Sequence, residues 1–279
     1  MNNQPVAVLD SGVGGLPYLA WIKAHLPQER LVYVADRKNF PYGEKSAAQV
    51  TQAVLETTQA LQERCQPKLL AVACNTASVV ALDALRQTFS FPIVGVVPAV
   101  KTAAQVTRNG RIGVLATRQT ANSTYLTQLI TEHCPGKAVF RYSASDLVDL
   151  VEADFRPESP EKTRILTRWA RQLQEAEVDT VVLACTHFLH VEEDLKKLLP
   201  PNFQLVDSRD GVGRRTKDLL SSQGLMAEPP APGHSAHDPD LFYFTASAHW
   251  SAELKQELEA KYAYFAQRFG LQLGGAWIL

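Results

Sequence analysis

The amino-acid sequence predicts an α/β protein of two similar domains, each with a parallel-rich sheet flanked by helices, and an active-site cleft between them. Three observations indicate this fold. Short apolar runs alternate with helical segments almost throughout the chain, a pattern typical of parallel sheets covered by helices on both faces. Two of the apolar runs are each followed by a cysteine, Cys74 in one case and Cys185 in the other. The length of 279 residues suits two domains of ordinary size.

The strands are predicted where short apolar or β-branched runs are bounded by turn residues. In chain order we expect strands at Val6–Leu9, Leu31–Val34, Leu69–Ala73, Pro92–Val96, Arg111–Leu115, Ala138–Tyr142, Thr180–Ala184, Gln204–Val206 and Leu241–Phe244. We expect helices at Leu16–His25, Ala47–Arg64, Ser78–Phe89, Ala99–Thr107, Ala121–His133, Ser145–Val151, Glu161–Gln174, Glu192–Leu199, Gly211–Ser221 and Ala252–Phe269.

Domain boundaries follow from a weak internal repeat. The run from Asp10 to Cys74 has nearly the same length as that from Thr117 to Cys185, and each joins the end of one strand to the end of a later one. We expect residues 1–97 with 208–279 to form the first domain and residues 98–207 the second. The Pro-, Gly- and His-rich stretch at 227–240 predicts a surface loop, because one strand and one helix still follow it.

Composition excludes several function classes. The net charge of −1 gives no basic excess for nucleic acid or a membrane surface. No apolar run is long enough to span a bilayer, and the first residues lack the pattern of a secretory signal. The four cysteines form no CxxC pair and no disulfide framework. A cytoplasmic protein with free thiols is the simplest interpretation.

Cys74 and Cys185 are the strongest candidates for chemistry. Each follows a predicted buried strand and precedes a helix, where the helix dipole and free backbone N–H groups favour a thiolate. Two thiols that face one carbon from opposite sides could act as base and acid in a stereochemical inversion. Cys65 and Cys134 lie on helical segments away from strand ends, so we interpret them as structural.

Other signals near the strand ends are weaker. The glycine-rich turn after Asp10 could bind an anion at the start of the next helix, but its spacing is not that of a dinucleotide site. A zinc site would use Cys74, Cys185, His187 and His190, but their spacing matches no usual ligand pair. We expect no metal, and for His187 a role as a base or in tuning the thiol.

Six segments in this order resemble the glutamate racemases, within the aspartate/glutamate racemase family. Any one of them is a weak signal, whereas the ordered set, which spans about residues 10–220, is specific. The segments are Leu9-Asp10-Ser11-Gly12-Val13-Gly14-Gly15-Leu16, Tyr33-Val34-Ala35-Asp36 with Pro41-Tyr42-Gly43, Ala73-Cys74-Asn75-Thr76-Ala77-Ser78, Ile112-Gly113-Val114-Leu115-Ala116-Thr117, Leu150-Val151-Glu152 and Ala184-Cys185-Thr186-His187.

The resemblance implies a cofactor-independent racemase that interconverts L- and D-glutamate and supplies D-glutamate for peptidoglycan, and so for cell wall biogenesis and cell shape. By matching position, Cys74 would take the α-proton from D-glutamate and Cys185 from L-glutamate. Asp10, His187 and Glu152 would assist them. The resemblance also implies a homodimer. The positions that would hold the amino acid are Ser11, Pro41, Tyr42, Gly43, Asn75, Thr76, Thr117, Thr120 and Thr186.

The sequence departs from the family pattern beside the expected site. Phe188-Leu189-His190 replaces the usual Tyr-Pro-Leu, and Gln119 stands where glycine is usual, next to Thr120. Arg209-Asp210 follows a strand end where small residues are expected. These changes bear on substrate choice and rate more than on the type of reaction.

Four other functions stay open on the sequence alone. An aspartate racemase would keep both cysteines and differ in the size of its side-chain pocket, although the Pro41-Tyr42-Gly43 and Cys74-Asn75-Thr76 segments favour glutamate. A non-catalytic amino-acid-binding protein would not need the thiols. A redox dithiol protein would need the two sulfurs at bonding distance, which leaves no room for a substrate carbon. A pyridoxal-phosphate racemase is disfavoured because no Schiff-base lysine motif is evident.

Overall fold

A computed structural model describes residues 3–153, 159–228 and 238–279. The chain divides into two compact units. Unit 1 comprises Met1–Val96 and Arg209–Leu279, and unit 2 comprises Val97–Ser208. Each unit is built around one sheet of its own, so the architecture of each can be described by itself.

The strands form two parallel sheets. In chain order they are β1 (Val6–Asp10), β2 (Leu31–Ala35), β3 (Leu69–Val72), β4 (Ile93–Gly95), β5 (Arg111–Ala116), β6 (Ala138–Ser143), β7 (Thr180–Ala184), β8 (Gln204–Val206), β9 (Leu241–Ala246) and β10 (Gln272–Ile278). Unit 1 holds the order β10-β9-β2-β1-β3-β4, and unit 2 holds β6-β5-β7-β8. Every pairing in both sheets is parallel.

Helices connect the strands, as parallel pairing requires. They are α1 (Leu16–His25), α2 (Ala47–Cys65), α3 (Asn75–Thr88), α4 (Val100–Val106), α5 (Arg118–Ala121), α6 (Thr124–His133), α7 (Ser145–Ala153), α8 (Pro160–Glu175), α9 (Glu192–Leu198), α10 (Arg209–Ser222) and α11 (Ala252–Arg268). Short 3-10 helices occupy Arg37–Asn39, Tyr42–Glu44 and Thr186–His190. The predicted class, parallel sheets flanked by helices, is confirmed.

The central strands are buried along their whole length. All residues of β1, β2, β3 and β7 are buried, which is the expected state of strands covered on both faces. This burial explains why their sequences read as continuous apolar runs rather than as an alternation. The polar residues of the predicted site lie at or just beyond the ends of these strands.

Two element predictions were wrong. A second strand, β10, follows α11 and pairs with β9. Its strand signal is hidden by Gly274 and Gly275, and a Cβ at Gly274 would lie 2.2 Å from the ring of Tyr243. The helix expected from Ala121 to His133 begins instead at Thr124, and a separate short helix, Arg118–Ala121, precedes it, since Thr117 and Ser123 each accept a backbone N–H at the start of one helix.

The helix α11 packs on the sheet of unit 1. The ring of Tyr262 on α11 lies 5.2 Å from the ring of Phe242 and 4.8 Å from that of Phe244, both on β9. All three side chains are fully buried.

Of the predicted loop at 227–240, residues 229–237 lie outside the described residues. Within the described ranges, no helix has the length and apolar character to cross a membrane.

Gly213 is predicted to be essential to the packing of α10 on α1. A Cβ at this position would lie 2.0 Å from the Trp21 ring, which cannot retreat without losing its hydrogen bond to Asp210. We expect Gly213→Ala to lower the free energy of unfolding by about 1–3 kcal/mol. Gly211→Ala is the matched control, because it meets nothing within 4 Å on the same helix. Denaturant unfolding of both variants checks this, and equal stabilities would contradict it.

Candidate functional site

Eight of the predicted site residues lie at or beyond the carboxyl ends of the central strands of unit 1. We call this group the Cys74 cluster, and its members are Asp10, Ser11, Pro41, Tyr42, Gly43, Cys74, Asn75 and Thr76. Asp10 ends β1 and Cys74 lies two residues beyond the end of β3, which pairs with β1 in parallel. Because parallel strands end at one edge of a sheet, these predicted site residues come together there.

The glycine-rich turn after Asp10 has a fixed shape. The Gly12 N–H donates to Asp10 Oδ1 at 2.7 Å. The Tyr33 hydroxyl donates to the Gly12 carbonyl at 2.7 Å and accepts the Gly15 N–H at 3.1 Å. A Cβ at Gly15 would lie 2.8 Å from the Cβ of Ala73, so only glycine lets the turn approach β3 this closely. Asp10 is thereby held, fully buried, at the sheet edge.

Cys74 occupies the position that caps α3. Its backbone is extended and the helix begins at the next residue, three residues earlier than the sequence predicts. The cysteine is in no disulfide and its side chain is almost fully buried. Free backbone N–H groups and the positive end of the helix dipole at this position favour a thiolate.

Asn75 has an unusual environment for a buried amide. Only 2% of the residue is exposed, yet neither Oδ1 nor Nδ2 has a hydrogen-bond partner in the described parts of the chain. An unsatisfied buried polar group costs roughly 1–3 kcal/mol, so it needs an explanation. A ligand with both donor and acceptor groups would satisfy this amide.

Tyr42 is tied to a buried carboxylate. Its hydroxyl donates to Asp36 Oδ2 at 2.5 Å. Burial, together with the negative charge and hydrogen bond of Asp36, raises the pKa of Tyr42 well above its usual range. The phenol therefore stays neutral and keeps its proton as a donor to Asp36. Pro41 and Gly43 flank it, half-buried, and the Phe40–Pro41 peptide bond is cis.

A second group of predicted residues gathers in unit 2. We call it the Cys185 cluster, and its members are Thr117, Thr120, Glu152, Cys185, Thr186 and His187. Thr117 follows β5 and Cys185 follows β7, and these strands pair with Ala116 opposite Ala184. All six residues are buried. The two clusters thus occupy equivalent places, at the carboxyl ends of neighbouring parallel strands in their own sheets.

A chain of three side chains leads to the Cys185 thiol. His187 Nδ1 lies 3.9 Å from Cys185 Sγ, and His187 Nε2 lies 2.9 Å from Glu152 Oε1. With Glu152 as the acceptor, the imidazole carries its proton on Nε2, and this contact fixes the tautomer. Nδ1 can then accept the thiol proton, which is the arrangement of an activated nucleophile or base. Glu152 reaches this position from α7.

The hydroxyls of Thr117 and Thr120 are linked. Thr117 Oγ1 donates to Thr120 Oγ1 at 3.1 Å and accepts the Thr120 N–H at 3.3 Å. Gln119 therefore does not prevent Thr120 from joining the cluster. Thr186 begins the 3-10 helix that follows Cys185. Hydroxyls at the start of a helical turn are suited to holding a carboxylate.

Sequence reasoning missed Asp36 and Thr245. Asp36 follows β2 and is fully buried, and Thr245 on β9 donates to it at 2.6 Å. The position of Asp36 at a strand end was a signal for it, whereas the apolar sequence around Thr245 gives none.

Across the ranges that the structure describes, no three His, Cys, Asp or Glu side chains are grouped so as to hold a metal ion.

Comparison with known proteins identifies the family of the chain. A sequence model of the family described as Asp/Glu/Hydantoin racemase matches residues 18–210. A protein named glutamate racemase from Pectobacterium carotovorum is 46% identical over 244 residues, which is 86% of this chain and 82% of the relative. One of the same name from Salmonella typhimurium is 40% identical over 257 residues, covering 91% and 88%.

Solved structures of glutamate racemases are similar to this chain over nearly its whole length. The Escherichia coli glutamate racemase, crystallised with L-glutamate and the activator UDP-MurNAc-ala, has a TM-score of 0.84 and 36% identity, and the match covers 99% of this chain and 98% of that one. A glutamate racemase isoform from Bacillus anthracis has a TM-score of 0.78 at 26% identity, covering 100% and 98%. The extent of the family match and the identity to these relatives establish that the chain belongs to the Asp/Glu/Hydantoin racemase family.

Proposed function

We propose that this chain is a glutamate racemase that interconverts L- and D-glutamate without a cofactor, by proton transfer between two cysteines and the α-carbon. One observation carries the proposal. An interior strand of each sheet leads to a buried cysteine that is in no disulfide, Cys74 in unit 1 and Cys185 in unit 2. Inversion at a carbon needs one base and one acid on opposite faces, and this chain supplies one thiol for each.

The proton balance fixes the state of each thiol. With L-glutamate bound, Cys185 as thiolate takes the α-proton and Cys74 as thiol delivers its own proton to the opposite face. The product is D-glutamate, with Cys185 now a thiol and Cys74 a thiolate. The reverse reaction begins from this second state. The proposal therefore requires that the two thiols address a single α-carbon in the working enzyme.

The residues around each thiol have the chemistry that the reaction needs. The α-proton of an amino acid is a weak acid, so the carbanionic transition state requires fixed dipoles in a dry environment. The unpartnered amide of Asn75 and the hydroxyls of Ser11, Thr76, Thr117 and Thr186 can hold the substrate's ammonium and carboxylate groups. Asp10 beside Cys74, and His187 with Glu152 beside Cys185, can assist proton transfer.

The substrate assignment rests on the relatives. Those compared above are named glutamate racemase, and one was crystallised with L-glutamate. Supply of D-glutamate for peptidoglycan follows as the proposed role, with consequences for the cell wall and cell shape. The cytoplasmic location and the homodimer stay predictions.

Exchange of the α-proton tests the proposal. The purified protein, with chelator and no added cofactor, is incubated with L-glutamate or D-glutamate in D2O. We expect loss of the α-proton signal by NMR together with inversion by chiral analysis, because a proton taken on one face is replaced by a solvent-derived deuteron on the other. Exchange with aspartate but not glutamate would overturn the substrate assignment. Binding of glutamate without any exchange would favour a non-catalytic binding protein.

A further inference from the structure

The Asp36 carboxylate is the centre of a network beside the Cys74 cluster. It accepts the Tyr42 hydroxyl on Oδ2 at 2.5 Å. The Asn39 amide donates to both of its oxygens, at 3.2 Å and 3.0 Å. A buried carboxylate is costly unless several donors surround it. The network therefore depends on every donor that reaches Asp36.

One of these donors comes from a distant part of the chain. The Thr245 hydroxyl on β9 donates to Asp36 Oδ1 at 2.6 Å. The Thr245 hydroxyl oxygen, Oγ1, in turn accepts the Lys38 N–H at 2.9 Å. Thr245 is fully buried and lies beside the end of β2, because Phe244 pairs with Ala35. One hydroxyl thus joins the last part of the sheet to both Lys38 and Asp36.

The hydrogen bond to Asp36 limits what the Tyr42 hydroxyl can do in substrate binding. We call residues Pro41, Tyr42 and Gly43 the Tyr42 turn. Because its phenolic proton is given to Asp36, Tyr42 has no hydroxyl proton left to donate to a substrate. The phenol anchors the Tyr42 turn to Asp36. Any contact of the turn with the substrate is therefore made by its other atoms. The position of the turn then depends on where Asp36 is held.

We propose that Thr245 is a positioning residue for substrate binding, which holds the Tyr42 turn in place through the Asp36 carboxylate. This inference rests on the proposed racemase function and deepens it. Thr245 lies beyond the residues that the family model matches. Strand β9 would thus be part of the binding machinery rather than only an extension of the sheet.

Thr245→Val tests the role of the hydroxyl with almost no change of shape. Losing a hydrogen bond to a buried charge leaves the turn less well fixed, so we expect KM for glutamate to rise about five- to tenfold, with kcat within about twofold. Thr245→Ser retains the hydroxyl and should restore KM. The measurement is initial racemisation rate against substrate concentration in both directions.

Thr216→Val is the matched control, because Thr216 is also fully buried and its hydroxyl donates to the Val212 carbonyl within α10. We expect its KM to equal that of the wild-type protein. If Thr245→Val lowers the melting temperature without changing KM, or if Thr245→Ser shares its defect, the positioning role is wrong.

Tyr42→Phe keeps the test decisive if Thr245→Val does not fold. It removes the phenolic anchor but retains the ring, so it should also raise KM rather than lower kcat. A wild-type KM in Tyr42→Phe would overturn the proposal. A wild-type protein that fails to racemise glutamate would instead refute the proposed function, so the two failures are distinguishable.

Discussion

Cys74→Ala and Cys185→Ala are each expected to abolish racemisation in both directions, with kcat/KM lower by at least about a thousandfold. The reason is that every turnover uses both thiols, one to remove the α-proton and one to replace it. L- and D-glutamate have equal free energies, so kcat/KM must be equal for the two directions in any variant. A variant that racemises in one direction only is thermodynamically impossible.

The other two cysteines provide the control. Cys65 is half-buried at the end of α2 and Cys134 is buried after α6, and both are free. Burial raises the pKa of both thiols, which keeps them protonated and unreactive. Cys65→Ala and Cys134→Ala should retain kcat/KM within about twofold, since neither thiol lies in the two clusters. Racemisation above one-tenth of the wild-type rate in Cys74→Ala or Cys185→Ala would contradict the two-cysteine mechanism.

Isotope exchange in Cys74→Ala and Cys185→Ala distinguishes the roles of the two thiols. In Cys74→Ala, Cys185 can still take the α-proton of L-glutamate and return a deuteron to the same face in D2O. Slow exchange with retention is then expected for L-glutamate in Cys74→Ala and for D-glutamate in Cys185→Ala. The opposite pairing would reverse the assignment of each thiol to its enantiomer.

Both thiol positions could be predicted because the signal is local. Each cysteine lies within two residues of the end of a buried strand, and the carboxyl end of a parallel strand is where functional residues of such folds collect. Asp10 and Thr117 also lie at the ends of strands, so the same reasoning identifies them as candidate site residues. A sequence pattern is sufficient here, because strand, cysteine and following helix are adjacent along the chain.

The network around Asp36 could not be predicted in the same way. Thr245 and Asp36 are 209 residues apart, and their contact depends on β9 lying beside β2. No periodicity in the sequence specifies which strand becomes the neighbour of another. The contact between Glu152 and His187 has the same character, since it depends on how α7 approaches the 3-10 helix after Cys185. The resemblance indicated both residues but not the link between them.

The missed elements have local causes. The strand signal of β10 fails because Gly274 and Gly275 replace the β-branched residues that mark a strand, and the Tyr243 ring occupies the space that a side chain at Gly274 would need. The sequence predicts a later start for α3 than the observed Asn75, because Asn75 and Thr76 are poor helix formers. At the first turn, however, a helix tolerates such residues, and here it presents them beside the thiol.

The link between Glu152 and His187 leads to a prediction that separates the two halves of the reaction. Glu152→Gln keeps the shape of the side chain but removes the charge that fixes the imidazole tautomer. We expect kcat/KM to fall about 10- to 100-fold, because proton transfer through Cys185 loses its assisted partner. Glu192→Gln is the matched control, since Glu192 is a buried glutamate of the same unit that pairs with Lys196 instead.

Isotope effects decide whether the loss lies at Cys185. The fall in kcat/KM must again be equal in both directions, so rates alone cannot locate it. With α-deuterated L-glutamate, removal of the deuteron by Cys185 becomes the slow step, and the isotope effect on kcat/KM should rise. With α-deuterated D-glutamate, removal by Cys74 becomes less limiting, and the isotope effect should fall. Isotope effects that change together would place Glu152 outside this half of the reaction and leave its contact with His187 a structural one.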